Sequence, residues 1–153
     1  MTDNLEVCSY LTPERVLCLD SSSKQDILSK MADLIGQDPS VKDAATMKKA
    51  IFMREKTMST GIGEGVAIPH ARTTAVEDFV IAFAKINEGI EFDAVDGKPV
   101  YLIFMIVANN NQDKKYVKLL SRLMLRMRKH QLVEKLMQAT NPKEIYEILV
   151  ESK

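Results

Sequence analysis

A glycine-rich segment that leads to a proline and a histidine is the most unusual pattern in the sequence. Residues 59–72 read Ser-Thr-Gly-Ile-Gly-Glu-Gly-Val-Ala-Ile-Pro-His-Ala-Arg, and three of the chain's six glycines alternate within residues 61–65. Glycine lets the backbone turn sharply and approach another group closely. Residues 66–68 have the texture of a short strand, and Pro69 then fixes the local φ before His70. We therefore expect rigid backbone to present this imidazole.

The chemistry open to His70 is nucleophilic catalysis or hydrogen bonding. A neutral imidazole is a competent nucleophile, and a backbone carbonyl that accepts from one ring nitrogen leaves the other free to attack. The residues alone also permit a turn with a hydrogen-bonded surface histidine, in which the glycines form a simple loop. A nucleotide-binding loop is disfavoured, because the spacing is neither G-x-G-x-x-G nor a P-loop and a strand follows.

Composition limits the remaining classes of function. The 153 residues suit one domain (1–153), and the 46% hydrophobic and 27% charged content is typical of a soluble globular protein. Lys and Arg number 21, as do Asp and Glu, so no net charge attracts nucleic acid or an anionic membrane. No apolar run approaches the roughly 20 residues of a membrane span. With two histidines and two cysteines, nothing calls for a metal or an organic cofactor.

The cysteines and the N-terminus indicate a cellular compartment. Cys8 and Cys18 are too few for a disulfide framework and are interpreted as inert thiols. The first residues have neither the positive start nor the apolar stretch of a secretory signal. We therefore expect a cytoplasmic protein.

Hydrophobic spacing predicts the elements that position this segment. Apolar residues recur at helical spacing over five stretches: 24–36, capped by Ser23 and Gly36, then 42–56, 112–129, 131–139 and 142–150. Short runs rich in β-branched and aromatic residues predict strands at 66–68, 79–84 and 100–107, with an edge strand at 15–19. Residues 100–107 are apolar throughout, as in a central strand covered on both faces. The predicted fold class is α/β, a three-layer α/β/α sandwich with a central mixed β-sheet flanked by helices on both faces.

Residues 61–70 resemble the active-site motif of the type-2 enzyme IIA domains of the bacterial phosphoenolpyruvate:sugar phosphotransferase system. The likeness runs from about residue 11 to the C-terminus. Three further blocks look like the fructose-type and nitrogen-regulatory branches rather than the mannitol branch: residues 54–61, 92–100 and 119–123.

This resemblance implies a phosphoryl carrier. In that family the histidine matching His70 takes a phosphoryl group on Nε2 from a phosphohistidine on the carrier protein HPr or its nitrogen-branch paralogue. The group then passes to a IIB domain, or its presence regulates other proteins. Arg54 matches the family arginine near that histidine, and its guanidinium can bind phosphoryl oxygens bidentately. Without the resemblance, the first interpretation of Arg54 is a solvated cation that favours the dipole at a helix end.

Tyr116 marks a departure from the family pattern. It stands where the family usually carries a second histidine, at the start of the helix after the central strand. A tyrosine can donate one hydrogen bond to a phosphoryl oxygen but brings no positive charge. Packing at a helix–sheet boundary is the alternative role. His130, fourteen residues later, is interpreted as structural or solvent-facing.

The resulting functional prediction is a cytoplasmic phosphotransferase component phosphorylated on His70. A chain with no fused IIB-, IIC- or HPr-like segment resembles a stand-alone regulator of the nitrogen type, although stand-alone fructose-type domains exist as well. The alternative is a binding module that keeps the fold and has lost transfer. The basic residues of the predicted helix at 112–129 are interpreted as a solvated face and not as a nucleic-acid site. The methionines at helical spacing, Met124, Met127 and Met137, are predicted to fill the core.

Overall fold

The computed structural model describes residues 7–151, in which one six-stranded sheet carries helices on both faces. The side chain of Cys8 lies outside the described part, and Cys18 is a free, half-buried thiol. After a short 3₁₀ helix, Val7–Tyr10, the strands are β1 (Leu11–Leu19), β2 (Gly61–Gly63), β3 (Val66–Ala67), β4 (His70–Arg72), β5 (Val80–Ile90) and β6 (Val100–Ala108). The helices are α1 (Lys24–Ile35), α2 (Ala44–Thr57), α3 (Asp113–Arg126), α4 (His130–Gln138) and α5 (Pro142–Glu151).

The sheet is mixed and centred on β5 and β6. Its strand order is β1-β5-β6-β3-β2, and β4 pairs with β6 beyond the end of β3. Strand β1 is parallel to β5, β5 is antiparallel to β6, and both β3 and β4 run parallel to β6. The predicted edge strand is thus confirmed, although it begins at Leu11 rather than at residue 15.

Two separate cores lie on the two faces of the sheet. Successive residues of a strand point to opposite faces, so Phe104 of β6 packs with α3, α4 and α5, whereas Met105 packs with α1 and α2. The rings of Phe83 and Phe104 have their centroids 4.5 Å apart in the first core. Burial on both faces explains the uninterrupted apolar run of β6 and confirms the predicted three layers.

The glycine segment folds differently from the prediction. Gly61–Gly63 is itself a strand, and Gly63 (φ 100°), Glu64 (φ 56°) and Gly65 (φ 81°) make the turn to β3. A Cβ at Gly61 would lie 2.8 Å from the Cα of Ala94, so the close backbone approach is made here, against the loop after β5. Val66 is paired with Leu102 of β6, whereas His70 is paired with Ile106, about 13 Å further along the strand. The glycines therefore shape the fold at a distance from the histidine.

The prediction that the methionines fill the core is partly wrong. Met127 is 3% exposed and Met124 packs against the core, but Met137 is 37% exposed. Helix α4 turns Leu132 and Leu136 inward, and that spacing leaves Met137 on its outer side.

A buried carboxylate joins α1, α2 and the start of β2. The Glu55 carboxylate accepts from the Thr60 amide at 2.9 Å and from its hydroxyl at 2.7 Å, and it pairs with the Lys24 ammonium at 3.0 Å. Its side chain is 5% exposed, and that of Lys24 is 20% exposed. This hydrogen-bonded ion pair connects the C-terminal end of α2 to the start of β2.

We expect Glu55→Gln to lower the free energy of unfolding by about 2–3 kcal/mol, because the amide removes the ion-pair partner of Lys24 and turns an NH₂ group toward donors. Asp33→Asn is the matched control, since the Asp33–Lys48 pair is exposed and its loss should cost less than about 1 kcal/mol. Urea unfolding of both variants measures the difference. Equal losses would show that the Glu55 contact stabilises no more than a surface pair.

Candidate active site

A cavity of about 350 Å³ lies where β4 and the C-terminal end of β6 meet α2 and α3. It brings together all three residues predicted for the site: Arg54 of α2, His70 of β4 and Tyr116 of α3. Ala50, Ala71, Arg72 and Asn110 complete its lining. Residues from four regions of the chain therefore line one cavity together with the imidazole.

Backbone hydrogen bonds hold His70 from both sides. The Ile106 amide donates to the Pro69 carbonyl at 2.9 Å, and the Thr73 amide donates to the Ala108 carbonyl at 2.9 Å. His70 is thus a strand residue, not the residue after a strand end as the sequence suggested. This three-residue strand is too short to show a hydrophobic periodicity in the sequence. It forms because β6 extends far enough to pair with it. These strand hydrogen bonds agree with the expectation that ordered backbone presents the imidazole.

The orientation of the imidazole is set by its own preceding turn. His70 Nδ1 lies 2.7 Å from the Ile68 carbonyl oxygen, which can only accept a hydrogen bond. The proton of the neutral ring is therefore held on Nδ1, and the lone pair is on Nε2. This is the arrangement that a nucleophilic histidine needs.

The half-buried environment keeps this imidazole neutral. Burial lowers the pKa of His70 below its ordinary value of 6.5, and the nearby Arg54 guanidinium lowers it further. The Ile68 carbonyl and the Glu55 carboxylate act in the opposite direction on the pKa but do not outweigh burial. At pH 7 the ring is therefore in its nucleophilic form.

Arg54 lies in the last turn of α2 and is half-buried. Its Nη1 donates to the Met58 carbonyl at 2.9 Å, just beyond the helix end. This contact leaves the rest of the guanidinium available at the cavity wall. The positive charge of Arg54 acts on both aromatic side chains of the site, because it lowers the pKa of His70 and that of Tyr116.

Tyr116 lies in the first turn of α3 and is 8% exposed. Its ring centroid is 5.9 Å from that of His70, with the rings tilted by 56°. Burial raises the pKa of Tyr116 well above its ordinary value, and the opposing effects of Arg72 and Arg54 are smaller. The phenol therefore keeps its proton and is a neutral donor beside the imidazole. Packing and hydrogen bonding are both open to it.

Arg72 is a member of the site that the sequence prediction missed. It lies two residues after His70 on β4, so both side chains point to the same side of the strand. Its guanidinium carbon is 5.5 Å from the centroid of the Tyr116 ring, and its Nη1 forms an ion pair with Asp113. The sequence offered one signal, the position of Arg72 two residues after His70, which has meaning only once these residues are known to form a strand.

Other candidate groups lie elsewhere. His130 is exposed at the start of α4, beside a separate cavity of about 550 Å³ near the β2–β3 turn. Within residues 7–151, no three His, Cys, Asp or Glu side chains are grouped closely enough to hold a metal ion. In the same part of the chain, no helix is long and apolar enough to cross a membrane.

Comparison with known proteins places this geometry in a family. The sequence model described as "Phosphoenolpyruvate-dependent sugar phosphotransferase system, EIIA 2" matches residues 9–152. The chain is 33% identical over 145 residues to the fructose-specific EIIA component of Haloferax volcanii, covering 94% of each protein. It is 32% identical over 146 residues to the fructose-specific EIIABC component of Bacillus subtilis, but that match spans only 23% of the relative.

A solved structure agrees with the sequence comparisons. The crystal structure of nitrogen regulatory protein IIA-Ntr from Neisseria meningitidis superposes with a TM-score of 0.85 at 32% identity, covering 94% of this chain and 98% of that one. The resemblance seen in the sequence is confirmed. The chain belongs to the EIIA type 2 family of the phosphoenolpyruvate-dependent sugar phosphotransferase system, a family of phosphoryl-carrying domains.

Proposed function

We propose that His70 is the residue of this chain that carries the phosphoryl group, received from a phosphohistidine on an HPr-like carrier protein. The observation that supports the assignment is the 2.7 Å contact between His70 Nδ1 and the Ile68 carbonyl, which leaves Nε2 as the nucleophile. The group then passes to a IIB domain, or its presence regulates partner proteins. We expect the chain to act as a single domain, and to do so in the cytoplasm.

Transfer between two imidazoles requires positioning and charge neutralisation. The lone pair of Nε2 attacks phosphorus in line with the donor, the donor's phosphorus–nitrogen bond breaks, and its electron pair returns to the donor imidazole. Arg54 stabilises the negative oxygens of the moving group, and Tyr116 donates one hydrogen bond to them. A strand-held imidazole contributes orientation, which accounts for much of the rate in such reactions.

The Ile68 carbonyl also explains how the phosphoryl group stays transferable. Once Nε2 is phosphorylated, the proton on Nδ1 still has its acceptor, because a carbonyl oxygen cannot donate in its place. A ring that keeps this proton is a good leaving group when the next acceptor attacks. Bonding to Ile68 therefore serves both the loading and the unloading step.

Incubation with phosphoenolpyruvate, enzyme I and a carrier tests the proposal. We expect an acid-labile phosphate on the tryptic peptide that contains His70. Running the reaction with HPr and with its nitrogen-branch paralogue identifies the donor, and adding a IIB domain tests onward transfer. Absence of label with both carriers would overturn the proposal and favour the transfer-deficient binding module.

The role of Tyr116 is separated from packing by two substitutions. Tyr116→Phe keeps the ring and removes the hydroxyl, so it should slow phosphorylation by roughly 10- to 150-fold, the value of one fully formed hydrogen bond to a charged group. Tyr116→His restores the histidine usual in the family and, when protonated, adds a positive charge, so it should speed transfer or lengthen the phosphohistidine lifetime. Stopped-flow labelling and hydrolysis rates measure both. If neither quantity changes while the thermal stability of Tyr116→His falls, Tyr116 is a packing residue.

A further inference from the structure

Arg72 is a second guanidinium in the cavity that holds His70. It lies on the same side of β4 as His70, and its side chain is 43% exposed at the cavity mouth. The guanidinium carbon lies over the Tyr116 ring, 5.5 Å from its centroid, and the His70 imidazole centroid is 5.9 Å from the same ring. Cation–π contact with a tyrosine keeps such a group oriented while leaving its donors free for other partners.

The phosphoryl oxygens offer binding positions for a second guanidinium. A phosphoryl group near neutral pH carries about 1.5–2 negative charges on its oxygens. The proton kept on Nδ1 leaves one positive charge on the ring, but Arg54 is the one cation assigned so far to the oxygens themselves, and the protonated phenol of Tyr116 adds no charge. The other charged side chain that lines the cavity is Arg72.

Asp113 holds Arg72 before phosphorylation. The carboxylate is 66% exposed in the first turn of α3, where the helix dipole stabilises its charge without help from Arg72. An exposed pair of this kind is weak. The Arg72 guanidinium can therefore leave Asp113 for a more strongly charged partner at a low cost in free energy.

We propose that Arg72 is a second phosphoryl-binding residue and that Asp113 is a positioning residue, which holds the Arg72 guanidinium over Tyr116 until the phosphoryl group reaches His70. The inference rests on the proposed function of His70. On phosphorylation, Arg72 leaves Asp113 and binds the phosphoryl oxygens. Arg72 and Arg54 then bind the group from opposite elements, β4 and α2.

The test compares Arg72→Gln with Arg128→Gln, which removes the same charge from an exposed arginine of the separate cavity near His130. Phosphoramidate is the small phosphodonor: its phosphorus–nitrogen bond breaks, Nε2 forms the new bond, and ammonia leaves. We expect Arg72→Gln to slow labelling about tenfold with this donor as well as with the carrier protein. The ³¹P chemical shift of the phosphohistidine should change in Arg72→Gln only.

Asp113→Asn tests the positioning role. It should speed labelling a few-fold in the wild-type background, because Arg72 no longer has to leave a carboxylate before it binds the phosphoryl oxygens. The acceleration should be much smaller in the Arg72→Gln background, because Asp113 acts through Arg72. If Arg72→Gln does not fold, Arg72→Lys decides: it keeps the charge but loses bidentate binding, so an intermediate rate is expected.

The outcomes separate this inference from the proposed function. A wild-type protein that takes no label overturns the proposed function itself. If the wild type is labelled but Arg72→Gln matches Arg128→Gln in rate and ³¹P shift, only the role of Arg72 is overturned. Slowing with the carrier protein alone would mean that Arg72 docks the donor, which also contradicts phosphoryl binding. Equal acceleration by Asp113→Asn in both backgrounds would contradict the positioning role.

Discussion

His70→Ala is expected to abolish the acid-labile phosphate while leaving the protein folded. The substitution removes Nε2, the atom that the Ile68 contact leaves free to attack. It should change the free energy of unfolding little, because the imidazole is half-buried at a cavity wall and belongs to neither core. Labelling with radioactive phosphoenolpyruvate, together with thermal unfolding, measures both quantities.

His130→Ala is the matched control for this result. His130 is the other histidine of the chain and is exposed at the start of α4. Its variant should be labelled at the wild-type rate. Residual label on His70→Ala, or loss of label from His130→Ala, would move the phosphoryl acceptor away from His70.

The lowered pKa of His70 predicts a pH dependence of stability that His70→Ala should lack. Burial lowers the pKa of His70 in the folded protein, so the unfolded chain binds more protons as the pH falls through 6.5, the ordinary histidine value. Protonation therefore favours unfolding, and the wild type should lose stability relative to His70→Ala between about pH 7.5 and 5.5. Parallel curves for the two proteins would contradict a buried, neutral imidazole.

Much of the fold follows from local pattern. Helix α1 begins after Ser23, whose side chain accepts from the Asp26 amide, and ends before Gly36, as predicted. Strand β6 shows its double burial in its unbroken apolar sequence. Strands β2 and β4 could not be predicted in this way. Each has three residues, and each exists because a neighbouring strand supplies hydrogen bonds that no local periodicity reveals.

The candidate site divides along the same line. His70 became a candidate through the unusual segment that contains it, whereas Arg54 became one through the resemblance to a known family. Arg72 was missed because its meaning depends on Asp113, 41 residues away, and on the ring of Tyr116. The glycines were expected to permit a sharp turn and a close backbone approach, and both occur, but at the β2–β3 turn and against Ala94. The unusual residue types pointed to the correct segment of the chain. Only the register of the sheet showed which residues of that segment line the cavity.

Arg54→Ala should slow phosphorylation of His70 by about tenfold or more; removal of a donor to a developing negative charge typically costs about 100- to 1000-fold. The Arg54 guanidinium is the charged group that α2 places at the cavity wall, and nothing else on that helix replaces it there. Its removal should also raise the pKa of His70, since Arg54 lowers that pKa in the wild type. Rapid-quench labelling and an NMR titration of the His70 ring measure the two effects.

Lys56→Ala and Arg54→Lys separate this role from a general effect of charge at the helix end. Lys56 lies in the same last turn of α2 and is exposed, so its loss should change neither the rate nor the pKa of His70. Arg54→Lys retains the charge and should hold the pKa near the wild-type value. Its rate should still fall, because an ammonium cannot bind two phosphoryl oxygens as a guanidinium does. If Arg54→Ala is folded and transfers at the wild-type rate with an unchanged His70 pKa, Arg54 is a solvated cation that stabilises the C-terminus of α2.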